Sequence, residues 1–405
     1  MNLLKNLSIK KLLVHVLVLI IASSIWLPSI HFFFKEDIGN YLDDKGISPK
    51  AKMLAGRQLQ IWRDPELRKI ELQKMQNRNP EWDFMSRTFF VLSLANMAIR
   101  EPGFKDEACE IMDCIIDTTL EAERLNGMYH FLMGYANHSG PWKIDPPRSI
   151  FIDGEIALML GARRLVMEKP EYAILHRERI SLILERMSKS PVMSSESYPD
   201  ECWIFCNTIA LASIKMSDVL DKTDNSGFLK KWIDTAKRSL TERKTGLLIS
   251  TFTVDGSPIE CGFGPEGTSI WLTCHMLQII DQDYAEDQYL RARKELSGNL
   301  LGFGYSREWP VSCKGYMDID SGPVVPILGT SVSASGLAFI AASSFHDKEY
   351  FSSLITSLNC GGFPLEKDGM LYYQAGNPVG DSVLLYAFVE GPLWERIGGK
   401  GIPHD

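Results

Sequence analysis

The segment SYPDECWIFCNT, residues 197–208, crowds reactive side chains into twelve positions directly before the apolar run IALASIKMSDVL. Asp200 and Glu201 supply two adjacent carboxyl groups, and Cys202 and Cys206 two thiols four residues apart. Removing water from an alcohol needs an acid for the leaving oxygen and a base for a carbon-bound proton. Cleaving a glycoside needs two carboxyl groups on opposite sides of the bond. Carboxyl groups crowded together serve either purpose, because crowding keeps some protonated and leaves others ionised. A cysteine in the first turn of a helix feels a dipole that favours thiolate. As a thiol, Cys206 can instead donate a proton, and its plainest role is that of a small buried residue. Cys202 and Cys206 can face each other on a helix, with Cα atoms near the upper limit for a bridge.

What positions these groups is a pattern of form. Six times an acidic or Gly/Pro-containing loop leads into a helix that is apolar all round. The expected helices are 79–99, 150–166, 204–220, 266–280, 330–345 and 380–396. Between them stand charged, amphipathic helices such as KDEACEIMDCIIDTTLEAER and PEYAILHRERISLILERMSKS, with SPKAKMLAGRQLQIWRD before the first. Helices apolar all round are buried, and those with a charged face lie outside. Six buried helices alternating with six outer ones describe an all-α (α/α)6 toroid. TGLLISTFTVDGSPIE, turning at Asp255-Gly256, and GMLYYQAGN read as short strands at its rim. In such a toroid all six inner helices start at one end, so their preceding loops meet there. The loops carry Glu81, Asp83, Asp153, Glu155, Asp200, Glu201, Glu260, Glu266, Asp318, Asp320 and Asp381. Each alone is an ordinary first-turn or capping residue. Together with Trp82, Tyr198, Trp203, Phe263 and Trp271 they describe a polar funnel with aromatic walls.

The chain has 405 residues, of which 45% are hydrophobic and 23% charged, enough to bury a large core. Net charge is −8 and no basic tract follows the first dozen residues, which argues against nucleic acid as a partner. Residues 1–36 read as a membrane anchor or an uncleaved signal. Lys5, Lys10 and Lys11 precede residues 12–34, which contain no Asp, Glu, Lys or Arg. That length can cross a bilayer, and the flanking charges place the body of the protein outside the cytoplasm. The alternative is a cleaved signal, for which IASS offers small residues. Residues 37–78 then form a linker and the first outer helix, and 79–405 the barrel. Eight cysteines in a chain this long do not make a disulfide scaffold. The eight histidines form no HxH or HExxH, and Cys202-x3-Cys206 lacks a second pair, so no metal site is expected. GFGPEG follows no parallel-sheet pattern, so a phosphate cradle is not expected either.

YPDECWIFCNTIALASIKMSDVL resembles the segment of bacterial linalool dehydratase/isomerases in which a cysteine follows a Pro-Asp motif and precedes Asn. GEIALMLGARRLV and DIDSGPVVPILGTSVSASGLAFIAA resemble that family's second inner helix and its approach to the fifth. The resemblance implies an exported (α/α)6 barrel that dehydrates and isomerises small, largely apolar alcohols without a cofactor. It sets Cys206 at the second of the family's two active-site cysteines, Ser197 at the first, and Glu155 at the family's histidine. The family's N-terminal Asp and Tyr find no counterpart here. The expected catalytic residues are therefore Cys206, Glu155, Asp200 and Asp318. Tyr198, Glu201, Trp203, Asn207, Glu266 and Asp320 are expected to face a small-molecule substrate. Two other readings stay open: a glycan-active hydrolase, lyase or epimerase, and a non-catalytic barrel that binds a ligand in the cell envelope. Apolar walls favour the alcohol; tryptophans flanking a carboxylate pair favour the glycan.

Overall fold

Helix starts along the chain are set by side chains that accept the free backbone N–H groups of the first turn. Asn79 accepts from Glu81 N at 2.9 Å and is followed by Pro80, whose ring suits the first helical position. Asp281, Asp347 and Asn377 cap three later helices in the same way. The computed structural model describes residues 9–259, 263–313 and 322–398. Its helices are α1 (Ile9–Ser29), α2 (Pro49–Arg63), α3 (Pro65–Arg78), α4 (Pro80–Arg100), α5 (Lys105–Asn126), α6 (Ile150–Val166), α7 (Pro170–Lys189) and α8 (Ile204–Asp221). These are followed by α9 (Ser226–Ser239), α10 (Gly267–Leu277), α11 (Gln282–Glu295), α12 (Val332–Ser344), α13 (Lys348–Gly361), α14 (Pro378–Val389) and α15 (Pro392–Ile397).

Helices α4, α6, α8, α10, α12 and α14 pack side by side in that order, and α14 returns to α4 to close a ring. Their sequences dictate this position: every residue of α6 but Leu165 is buried. Helices α5, α7, α11 and α13 lie on the helices they follow, and α2 packs on α14. No central sheet is found among the described residues; the strands form two-stranded pieces only. The inner and outer layers thus follow the alternation read from the sequence.

The differences are local. The stretch 380–396 is two helices, because Gly391 has φ of 122° and Pro392 cannot donate to a continuing helix. An additional helix, α3, occupies part of the expected linker, and Asp64 caps it. The turn at Asp255-Gly256 forms, with Gly256 at φ of 90°. The strand before it, β2 (Thr251–Phe252), pairs antiparallel with β1 (Cys202–Trp203), just before α8. Hairpins β3 (Ser297–Leu300) with β4 (Phe303–Ser306), β5 (Val324–Val325) with β6 (Thr330–Ser331), and β7 (Pro364–Lys367) with β8 (Met370–Tyr373) complete the rim.

The short helix α15 stoppers the barrel at the end away from the inner-helix starts. Trp394 stacks on His275 at 4.6 Å and donates to the His275 carbonyl at 3.2 Å. Leu393 N donates to Asn96 Oδ1 at 2.9 Å, and Arg396 to the Leu165 carbonyl at 2.9 Å. These partners lie in the C-terminal halves of α10, α4 and α6. The opposite end carries the starts of the six inner helices and the loops that precede them. At the N-terminus, α1 is exposed along its length, and the span Lys10–Asn40 is long and apolar enough to cross a membrane as anchor or signal.

Candidate functional site

Carboxyl groups two residues apart on a helix point about 200° apart, and this sorts the acidic residues of the funnel. On α6, Asp153 turns outward to Arg148 of the preceding loop and Arg179 of α7, which also hold Glu123 of α5. Glu155 turns inward and is buried. On α4, Asp83 is gripped by Arg87 through two bonds of 3.0 and 3.1 Å, and Arg87 reaches Thr119 of α5. Glu81 instead accepts the hydroxyl of Tyr198. Asp83 and Asp153 are therefore structural ties between layers. Asp381 is a third, held by Arg57 of α2 at 2.7 Å.

Inside the ring, Thr88 Oγ1 donates to Glu155 Oε2 at 2.6 Å across the α4–α6 contact. Burial, with Glu81's charge adding to it, pushes the Glu155 carboxyl up to about 8 against the pull of Thr88. Cys206 of α8 shares this environment: its thiol hydrogen-bonds Ser197, and Glu155, Glu81 and Glu201 all act on it electrostatically. Burial and those carboxylates hold the thiol well above its usual range. The thiolate favoured by the helix dipole is thus overridden, and Cys206 is a thiol at neutral pH.

The wall is aromatic. Tyr198 accepts from Met133 N at 3.0 Å, and its ring stacks on Tyr135 at 4.6 Å. Burial and Glu81 drive the Tyr198 phenol far above its usual range, so it keeps its proton. Glu201 accepts from Trp203 Nε1 and from Tyr135 OH at 3.4 Å. Phe84 stacks on Phe131 at 4.6 Å and meets Phe151 edge-on at 5.2 Å, next to the carboxyl-bearing turns of α4 and α6. Glu81, Glu155, Cys206, Ser197, Tyr198, Glu201 and Trp203 are therefore one constellation.

Two expected residues, Asp200 and Asn207, stand apart from it. Asp200 has φ of 56°, a left-handed turn, and its carboxylate meets Val254 N at 3.3 Å and Lys143 at 3.7 Å. Those contacts belong to the outer rim, because the left-handed turn swings Asp200 away from its neighbour Glu201. Asn207 is fully buried, but its amide is spent on backbone: it accepts from Ser195 N at 2.8 Å and donates to the carbonyls of Ser195 and Trp203. It holds the rim segment in place and leaves nothing for a substrate. Glu266 stands at the N-cap position of α10 without a side-chain capping bond, and its N–H donates to Ser250 Oγ at 2.6 Å. Asp318, Asp320 and Glu260 lie outside the described residues. Asn is at least as content as Asp in a left-handed turn, so Asp200→Asn should leave turnover near normal and shift stability by no more than about 0.5 kcal/mol. A large loss of turnover in a folded variant would return Asp200 to the site.

The segment is fastened by two residues that drew no notice in the sequence. Glu196 accepts from Lys143 N at 2.8 Å, Ile144 N at 2.9 Å and Asp200 N at 2.8 Å. Arg186 of α7, 3.5 Å from Glu196, donates to the carbonyls of Ile144 and Arg148 at 2.7 and 2.8 Å. Thr88 was equally unmarked, whereas Ser197 drew notice only through the family resemblance. The spacing of Glu81 and Thr88, seven residues or two turns apart on one apolar helix, was the signal for Thr88. None of the seven described cysteines is bridged, and among the described residues no three His, Cys, Asp or Glu side chains cluster as metal ligands.

The sequence model of the linalool dehydratase/isomerase family matches residues 153–378, more than half of the chain. The protein belongs to the linalool dehydratase/isomerase family. The matched span holds Glu155, Ser197, Tyr198, Glu201 and Cys206, whereas Glu81 and Thr88 precede it. Among solved structures, the unsaturated glucuronyl hydrolase of Bacillus sp. GL1 is similar with a TM-score of 0.52, at 11% identity over 84% of this chain and 96% of that one. A GH76 α-mannanase of Bacteroides thetaiotaomicron is similar with a TM-score of 0.45, at 13% identity over 77% of this chain and 86% of that one. At such identities the likeness to the hydrolase is one of helical-barrel fold. This member of the linalool dehydratase/isomerase family thus carries its constellation at the end of a six-helix ring where the inner helices start.

Proposed function

We propose that this barrel is a cofactor-independent hydro-lyase or isomerase acting on a small, largely apolar alcohol. The observation that carries the reading is Glu155: a carboxyl group buried among apolar side chains that holds its proton up to about pH 8. Such a group is an acid at neutral pH. In the proposed step Glu155 gives its proton to the hydroxyl oxygen of the substrate, the C–O bond breaks and water leaves. Glu81, oriented by the Tyr198 hydroxyl, takes the carbon-bound proton, and the C–H electron pair becomes the double bond. The thiol of Cys206, set by Ser197, lies beside the departing oxygen and donates a hydrogen bond to it. Returning water to a different carbon by the reverse step gives the isomer. Phe84, Phe131 and Phe151, all buried, supply an apolar, water-poor surrounding in which these charges act strongly.

One observation favours a second reading. Glu81, Glu155 and Glu201 converge under Tyr135, Tyr198 and Trp203, a combination that also suits a sugar ring, and the glucuronyl hydrolase has a similar helical-barrel fold. The full-length protein in detergent, incubated with terpenoid alcohols and with oligosaccharides, separates the readings by mass spectrometry. Loss of one water from an alcohol, or its isomerisation, is the expected result. Shortened or unsaturated saccharides would replace the proposal with the glycan reading, and no product from either would leave a ligand-binding barrel. Within the proposed chemistry, Cys206→Ala should lower turnover about 10²-fold or more while costing only about 1 kcal/mol of stability for the lost packing. Normal turnover in the folded variant would reduce Cys206 to a core residue.

A further inference from the structure

Outside the barrel, exposed apolar side chains gather where the N-terminal helix meets the body. Phe32 and Phe33 follow α1 directly and are 65% and 72% exposed. At the tip of the β3–β4 hairpin, Leu300 and Leu301 are 48% and 45% exposed. The two groups are fastened together. The His31 ring occupies the space beside Gly302, where a Cβ would come within 2.4 Å of it. Phe303 meets His31 edge-on at 6.5 Å and Phe34 at 6.1 Å.

The segment after α1 is then locked to the barrel wall. Asn359 of α13 donates to the Phe34 carbonyl and to Glu36, both at 3.2 Å, and accepts from Tyr41 at 3.1 Å. Lys50 bridges Glu36 at 3.2 Å and Glu366 of β7 at 2.6 Å. The anchor therefore leaves the body at a defined place. The direction of the hairpin tip is defined too. Tyr350 holds the Tyr305 carbonyl and Ser357 the Gly304 carbonyl, so moving toward the tip follows α13 toward its C-terminus. That is the end of the barrel where the inner helices begin.

We infer that Phe32, Phe33, Leu300 and Leu301 form a collar that seats the end of the barrel where the inner helices start on the surface of a lipid bilayer. The occupant is identified by continuity: the collar extends an exposed apolar helix long enough to span that bilayer. Apolar loop residues exposed beside a membrane-crossing helix gain about 25 cal/mol per Å² on entering the acyl region, and the rigid junction holds them at that depth. A mouth facing the membrane would admit molecules dissolved in the lipid. The inference concerns docking and is independent of the chemistry at Glu155.

The test uses the full-length chain in phosphatidylcholine vesicles, with the photo-crosslinking residue p-benzoylphenylalanine placed at Leu300. Leu290, 61% exposed on the outer helix α11, serves as the comparison site. Mass spectrometry should find phospholipid joined at position 300 at least tenfold more than at position 290. Equal labelling at the two positions, or crosslinks from position 300 to a second copy of the chain in place of lipid, would overturn the inference. The readout is a covalent adduct, so loss of the proposed alcohol chemistry would leave it unchanged.

Discussion

Glu155→Gln is expected to stop turnover and, at pH 8, to stabilise the protein. The carboxyl group's ordinary value is 4.5, and in the folded barrel burial lifts it to about 8. Between those values the folded protein holds a proton that the unfolded chain releases. The contribution of Glu155 to stability is therefore complete below about pH 4.5 and is lost as the pH rises toward 8. Each unit of difference is worth about 1.4 kcal/mol, so the loss by pH 8 is on the order of 4 kcal/mol. Glutamine fills the same space and still meets Thr88, but it does not titrate. Melting curves taken from pH 5 to pH 9 should show the wild type falling relative to the variant across that window. Asp381 and Glu390, both pushed up to about 7 by burial, contribute a similar slope to each protein, so it cancels in the difference. Turnover by the variant should drop about 10²- to 10⁴-fold, the usual contribution of a positioned acid. In the wild type, turnover should decline above about pH 8 as Glu155 loses its proton. Parallel melting curves would remove the raised proton affinity, and with it the assignment of Glu155 as the acid.

Arg186→Met should cost about 3–5 kcal/mol, the usual penalty for removing one partner of a buried ion pair. Arg186 and Glu196 are both fully enclosed, and burial lowers the Arg186 guanidinium from its ordinary range. Methionine would leave Glu196 charged without a cation and strip the carbonyls of Ile144, Pro146 and Arg148 of their donor. Each buried polar atom left alone adds to the loss. The rim segment bearing Ser197 and Tyr198 is fastened through this pair, so activity should fall together with the melting temperature. A double-mutant cycle with Glu196→Gln measures the coupling. A cost below about 1 kcal/mol would show that the rim is held by other contacts.

The sequence by itself determined the layers of this protein. Helices such as 150–166, apolar on every side, have no stable place except between other helices, and the charged helices between them have none except outside. Composition and period settle that locally, as they settle the apolar length of residues 12–34 and the turn at Asp255-Gly256. The family likeness, too, was legible in the Pro-Asp–Cys-Asn segment, and placed Glu155 and Cys206 among the candidates.

Which acidic residue of each loop faces inward was decided only by the tertiary structure. Asp153 and Glu155 are equivalent as letters. The rotation of α6 in the ring sends one to Arg179 and Arg148 and the other into an apolar pocket. Asp200 looked reactive and is a turn residue whose backbone conformation points it outward, while Asn207 looked free and is consumed by the backbone of Ser195. Glu196 and Arg186 looked unremarkable and hold the rim together. Each of these outcomes involves at least one partner nine or more residues away, and a side chain's role follows from desolvation and pairing. Those are properties of the place where the chain delivers it, which periodicity cannot supply.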